Sequence, residues 1–167
     1  MIIRVIILLC LYLCPLMIQA TDFIYDADST SIILKKKQNN FYYRRSKWIR
    51  VSLDIGYRTG VAGFLDYFYS QYGRHFSVVN DEYFSKFNKN NRYIEEGPNG
   101  CCKGVILFNS SLKIVDVKII ERGYSNDSYD YDGMVKYILE KSEGNWKILN
   151  SKRRKRWYIF MFNLKLR

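Results

Sequence analysis

From Thr59 to Arg167, apolar spacing alternates between helical and strand periods, and each change marks an element. Val61, Phe64, Leu65, Phe68 and Tyr72 recur at helical spacing behind a capping Thr59, and Gly73 ends the pattern. A second, short helix is expected from Asn80, with Tyr83, Phe84 and Phe87 apolar and 88–91 as its stop. Gly97, Pro98 and Gly100 punctuate a loop that holds Glu95 and Glu96. Lys103 to Phe108 is a nearly continuous apolar strand, and Asn109-Ser110-Ser111 turns it back. Next, Val115, Val117 and Ile119 face one side while Asp116 and Lys118 face the other, the period of a sheet with one wet face. A polar loop, Tyr124 to Ser128, leads to a helix over 130–142, capped by Asp130 or Ser128, with Tyr131, Met134, Val135 and Ile138 as its stripe. The last strand, 157–166, is apolar on both faces. Tyr158, Phe160, Phe162, Leu164 and Leu166 share one face, and Trp157, Ile159, Met161 and Asn163 the other. The second face exceeds what a wet sheet needs and marks a binding or oligomer surface.

This pattern predicts an α+β fold of two layers. Strands at 103–108, 114–122 and 157–166 form one three-stranded antiparallel sheet, with helices packed on it. Val115, Val117, Ile119, Met134, Ile138, Phe160 and Phe162 are the expected core. Residues 21–57 read as an N-terminal extension. In it Phe41 to Tyr43 and Trp48 to Leu53 form a hairpin, with a turn signal at Gln38-Asn39-Asn40. Ahead of it, Arg4 precedes an apolar run from Val5 to Met17 that closes at Ala20. The run is shorter than the roughly 20 residues of a spanning helix and reads as a secretory signal, 1–20, cut after Ala20. The domain proper is then 58–167.

Charge adds one choice. Lys and Arg number 27 against 16 acidic residues, a net of +11. Either the surface is simply solvated, or an acidic partner is involved: nucleic acid, anionic lipid or a protein face. The densest run, Lys152, Arg153, Arg154, Lys155 and Arg156, lies between Trp146 and Trp157. It reads as a solvated basic turn, with contact to an anionic surface as the alternative. Two Pro in the whole chain leave no Pro-rich linker. Cys101 and Cys102 are adjacent, and neighbouring Cα atoms, about 3.8 Å apart, are too close for an unstrained disulfide. They read as small residues at the start of a strand.

Catalytic patterns are missing. One histidine, His75, at or just past a helix end, excludes a two-histidine acid–base pair. There is no Gly-x-Ser-x-Gly elbow and no glycine-rich phosphate loop. Asp127, Asp130 and Asp132 lack the glycine and terminal glutamate of a calcium loop. The chain is therefore expected to be no enzyme, with no catalytic, cofactor-binding or metal-binding residues.

Several landmarks fall in a recognisable order. Gly60 to Tyr72 is a helix, Tyr93 follows, Gly104 opens a strand, Val115-Asp116-Val117-Lys118-Ile119 is the next, and Trp146-Lys147 follows a helix and feeds a basic turn and a last strand. Over roughly 59–167 this resembles the C-terminal domain of TonB-type energy transducers. The chain departs from the family at Ile94 and Ile148, where the family has proline, and at Ser110-Ser111, where it has Asp-Gly. It also lacks the Pro-rich linker, so the resemblance carries the fold more firmly than energy transduction. The resemblance implies a periplasmic protein-binding module that engages extended peptides, such as those of a TonB-dependent outer-membrane transporter, by strand pairing. An inner-membrane anchor facing the periplasm is the alternative location. Candidate partner-binding residues are Trp157, Ile159, Met161 and Asn163, with Arg92 and Tyr93, and self-association through the last strand is a further expectation. The competing reading is a small secreted binding or immunity protein of the nuclear-transport-factor-like or cystatin-like class.

Overall fold

A computed structural model describes residues 33–38, 40–75, 86–87, 100–125, 129–150 and 155–166. The signal segment, Arg92, Tyr93 and Lys152 to Arg154 lie outside them. So does the helix expected from Asn80, except for helical Lys86 and Phe87.

The chain begins with β1 (Leu34–Lys37), β2 (Asn40–Arg44) and β3 (Trp48–Val51), an antiparallel meander in the order β1-β2-β3. It is one strand larger than the expected hairpin. The lysine run enters β1 because Leu34 pairs opposite Tyr43 and points inward, leaving Lys35 and Lys37 outside. Next come β4 (Ile55–Tyr57) and α1 (Gly60–His75). Gly60 carries a φ of 84° at the helix start, a left-handed conformation suited to glycine.

The main sheet is built as the alternation requires. β5 (Gly100–Asn109) is central, flanked by β6 (Ile114–Arg122) and, beyond α2 (Tyr131–Lys141) and the short β7 (Trp146–Ile148), by β8 (Trp157–Leu166). Both pairings are antiparallel. Asp130 caps α2, its carboxylate accepting the Gly133 N–H at 3.0 Å. The fold is α+β, with α1 and α2 on one face of this sheet.

Two cores result. Between sheet and helices lie Phe64, Phe68, Ile106, Phe108, Val117, Met134, Ile138, Phe162 and Leu164. Trp146 is the hub, with ring centroids of Phe160, Phe108, Tyr57 and Phe64 within 4.8–5.7 Å. Its indole N–H donates to Ser142 Oγ at 3.0 Å. It is thus buried, away from the basic turn it precedes in sequence. The β4–β7 pair, unforeseen in two three-residue strands, places Tyr57 opposite Trp146.

The second core lies on the opposite face, where the sequence pattern anticipates water. Leu34, Tyr43 and Val51 of the meander pack with Val105, Leu107 and Ile159. Asp116 and Lys118 belong to that covered face. Tyr43 donates its hydroxyl to Asp116 at 2.8 Å, and Lys118 donates to the Arg44 carbonyl at 3.4 Å. Of the expected core, Val117, Met134, Ile138 and Phe162 are buried, whereas Val115, Ile119 and Phe160 are half-buried. Ile119 and Phe160 pack at the margin of the first core, whereas Val115, expected on the face of Val117, packs against the second, next to the register shift between Leu107 and Phe108.

Candidate binding edge on the last strand

As an outer strand, β8 turns the backbone groups of alternate residues away from β5. Two contacts identify which. Ser52, just after β3, donates its N–H to the Trp157 carbonyl at 3.0 Å and accepts the Ile159 N–H at 2.9 Å, a single parallel bridge. At the far end, the Tyr69 hydroxyl donates to the Lys165 carbonyl at 3.0 Å and accepts the Lys165 N–H at 3.1 Å. The odd-numbered residues therefore face outward. Between Ser52 and Tyr69 lie Met161 and Asn163, whose outward N–H and C=O groups meet no partner among the described residues.

The side chains of the expected contact set divide. Asn163 is exposed and Met161 half-buried at this gap. Trp157 is half-buried, with the Arg45 and Arg156 guanidinium groups 5.9 and 6.0 Å from its ring centroid. Ile159 is only 1% exposed, because the meander lies over it. Its side chain cannot be a surface contact while the meander is in place. Of the basic run, Arg156 is exposed and Lys155 donates its N–H to the Tyr158 hydroxyl at 2.8 Å.

Helix α1 supplies a shelf that the sequence pattern misplaces. Val61, Leu65 and Tyr69 recur every four residues along one line of the helix, which ends on β8 through the Tyr69 hydroxyl. Val61, read in the sequence as part of the helix's apolar face, is 59% exposed, and Tyr69 is 39% exposed. The signal for this stripe is present in the spacing of Val61 and Tyr69, but the adjacent Phe64–Phe68–Tyr72 stripe, equally long and buried, merges with it in the sequence.

The other polar cluster lies at the opposite edge. Tyr124 donates to Asp132 at 2.9 Å, and Arg122 pairs with the same carboxylate. Burial pushes the neighbouring Cys102 thiol up to about 11, against a smaller lowering by its hydrogen bond with Tyr124. Cys101 and Cys102 are free thiols. This cluster ties β5, β6 and α2 together. Among the described residues, no three His, Cys, Asp or Glu side chains gather as a metal site. No family model, curated protein or solved structure matches this chain.

What the edge offers is backbone chemistry. An extended segment laid along β8 meets two N–H donors and two C=O acceptors on alternate residues, about 6.6 Å apart, with the Tyr69 ring at one end.

Proposed function

We propose that this chain is a binding module of the bacterial envelope, without catalytic activity, that takes an extended peptide as an added strand on β8. The carrying observation is the outward backbone of Met161 and Asn163 between the Ser52 bridge and the Tyr69 hydroxyl. The order helix, strand, strand, helix, strand, on which the resemblance to TonB C-terminal domains rests, supports this reading through α1, β5, β6, α2 and β8. A periplasm-facing segment of a TonB-dependent outer-membrane transporter is the partner that this resemblance implies, with a cleaved signal and periplasmic location. The nuclear-transport-factor-like alternative needs its late strands as one uninterrupted meander, an order that α2 breaks.

The test is Asn163→Pro. Proline removes an outward N–H that the sheet does not use, so an edge strand tolerates it. Fluorescence anisotropy with extended peptides from transporter plug regions is expected to show binding by the wild type. The variant should keep its circular dichroism spectrum and lose at least about tenfold in affinity, the scale of one charge-free hydrogen bond with its desolvation. Equal binding by a folded variant, or no binding by the wild type, overturns the reading.

A further inference from the structure

The outer face of the meander has no role in the strand-pairing reading, and its composition is one-sided. Residues 33–53 hold seven Lys or Arg and no Asp or Glu, seven of the chain's net eleven positive charges. The pleat sorts them. With Leu34, Tyr43 and Val51 buried inward, their strand neighbours Lys35, Tyr42, Arg44 and Arg50 point out. The register aligns Lys35 with Tyr42 and Tyr42 with Arg50, and sets Arg44 opposite Trp48. Lys35 reaches across β2 to put its ammonium 4.1 Å from the Trp48 ring centroid, which fixes both on this face. Lys35, Lys37, Arg44 and Arg50 are exposed, and among the described residues no salt bridge involves them. The β2–β3 turn extends the patch with exposed Arg45 and Lys47, and Arg45 continues it to Trp157.

We propose that this face docks the protein on an anionic lipid bilayer. Four exposed cations without an ion pair among the described residues share one sheet face and complement a plane of phosphate headgroups, and the attraction grows with each basic residue near the surface. Trp48 and Tyr42 among them are the residue types that settle at a headgroup interface. A single-stranded nucleic acid is the other polyanion to weigh. It needs open aromatic faces for its bases, whereas the Trp48 ring carries the Lys35 ammonium. The reading of Val5 to Met17 as a secretory signal, on which this comparison rests, also favours a lipid surface over nucleic acid.

The test uses the full chain and two vesicle types, phosphatidylcholine alone and phosphatidylcholine with one-third phosphatidylglycerol, read by co-sedimentation. The ratio of the two partition coefficients cancels any contribution of the apolar leader. The wild type is expected to favour anionic vesicles by at least about tenfold at low salt, and to lose that preference as ionic strength rises. The combined variant Lys35→Gln, Lys37→Gln, Arg44→Gln and Arg50→Gln should bring the ratio to within about twofold of unity. A charge-matched control, Lys113→Gln, Lys136→Gln, Lys141→Gln and Lys147→Gln, should retain the wild-type ratio. Thermal melts establish that both variants fold. If the patch variant unfolds, Lys37→Gln with Arg50→Gln, which leaves the Lys35–Trp48 contact, is expected to reduce the ratio at least about threefold. Equal loss in patch and control variants assigns the binding to net charge and overturns the proposal. So does an unchanged ratio in a folded patch variant, or wild-type binding to a single-stranded oligonucleotide with no anionic-vesicle preference.

Discussion

At the scale of single residues, buried hydroxyl and thiol groups make this chain sensitive to alkali. Burial pushes Tyr67 up to about 12 and Cys102 up to about 11, and raises Tyr43, Tyr72, Tyr124 and Tyr129 further. In the unfolded chain these groups ionise near their ordinary values of 9.0 and 10.0. The folded state keeps their protons longer, so stability is complete below about pH 9 and falls as pH rises through 11 and 12. Urea midpoints at pH 7, 9 and 10.5 should be level between the first two and clearly lower at the third. Tyr43 also holds the meander to β6 through Asp116. Tyr43→Phe removes that bond to a part-exposed carboxylate, and chemical unfolding should show a loss of about 1–2 kcal/mol. None of this was legible beforehand, because Tyr43 and Asp116 lie 73 residues apart and each looks like an ordinary surface residue in its own segment.

At the scale of elements, legibility followed length and period. Helices α1 and α2 and strands β5, β6 and β8, each nine or more residues long, repeat their pattern often enough to be read. Strands β4 and β7 have three residues each and no period to show, and β1 is mostly lysine. The candidate edge was legible as an apolar strand, but not which of its backbone groups stay open, since Ser52 and Tyr69 reach it from distant segments. Gly104 is a further case. It reads as the residue that opens a strand, yet it lies inside β5 beside a register shift, with the Phe162 ring against it. A Cβ there would meet the Lys118 carbonyl and the Phe162 ring at 2.4 Å. Gly104→Ala should therefore cost about 2–3 kcal/mol, measured by denaturant unfolding, although alanine suits a strand better than glycine elsewhere.

At the scale of the whole molecule, one sheet carries two different covers: aromatic helices on one face and a cationic meander on the other. Ile159 joins the meander to β8, and Ile159→Lys places a charge in that seam, where Asp116, across Leu107 in the register, is already taken by the Tyr43 hydroxyl. It should cost about 3–5 kcal/mol and speed proteolysis of the first 50 residues, whether or not β8 binds a partner. The same cover explains why the second apolar face of β8, conspicuous in the sequence, leaves so little apolar surface exposed. A last consequence follows from the Tyr69 hydroxyl, which answers both backbone groups of Lys165 with one oxygen. It does there what a neighbouring strand would do, yet it has no further edge of its own to offer. Growth of the sheet by successive copies of the chain stops at that oxygen. A phenylalanine at 69 would keep the ring and surrender that protection, leaving a longer bare edge on which fibrils start.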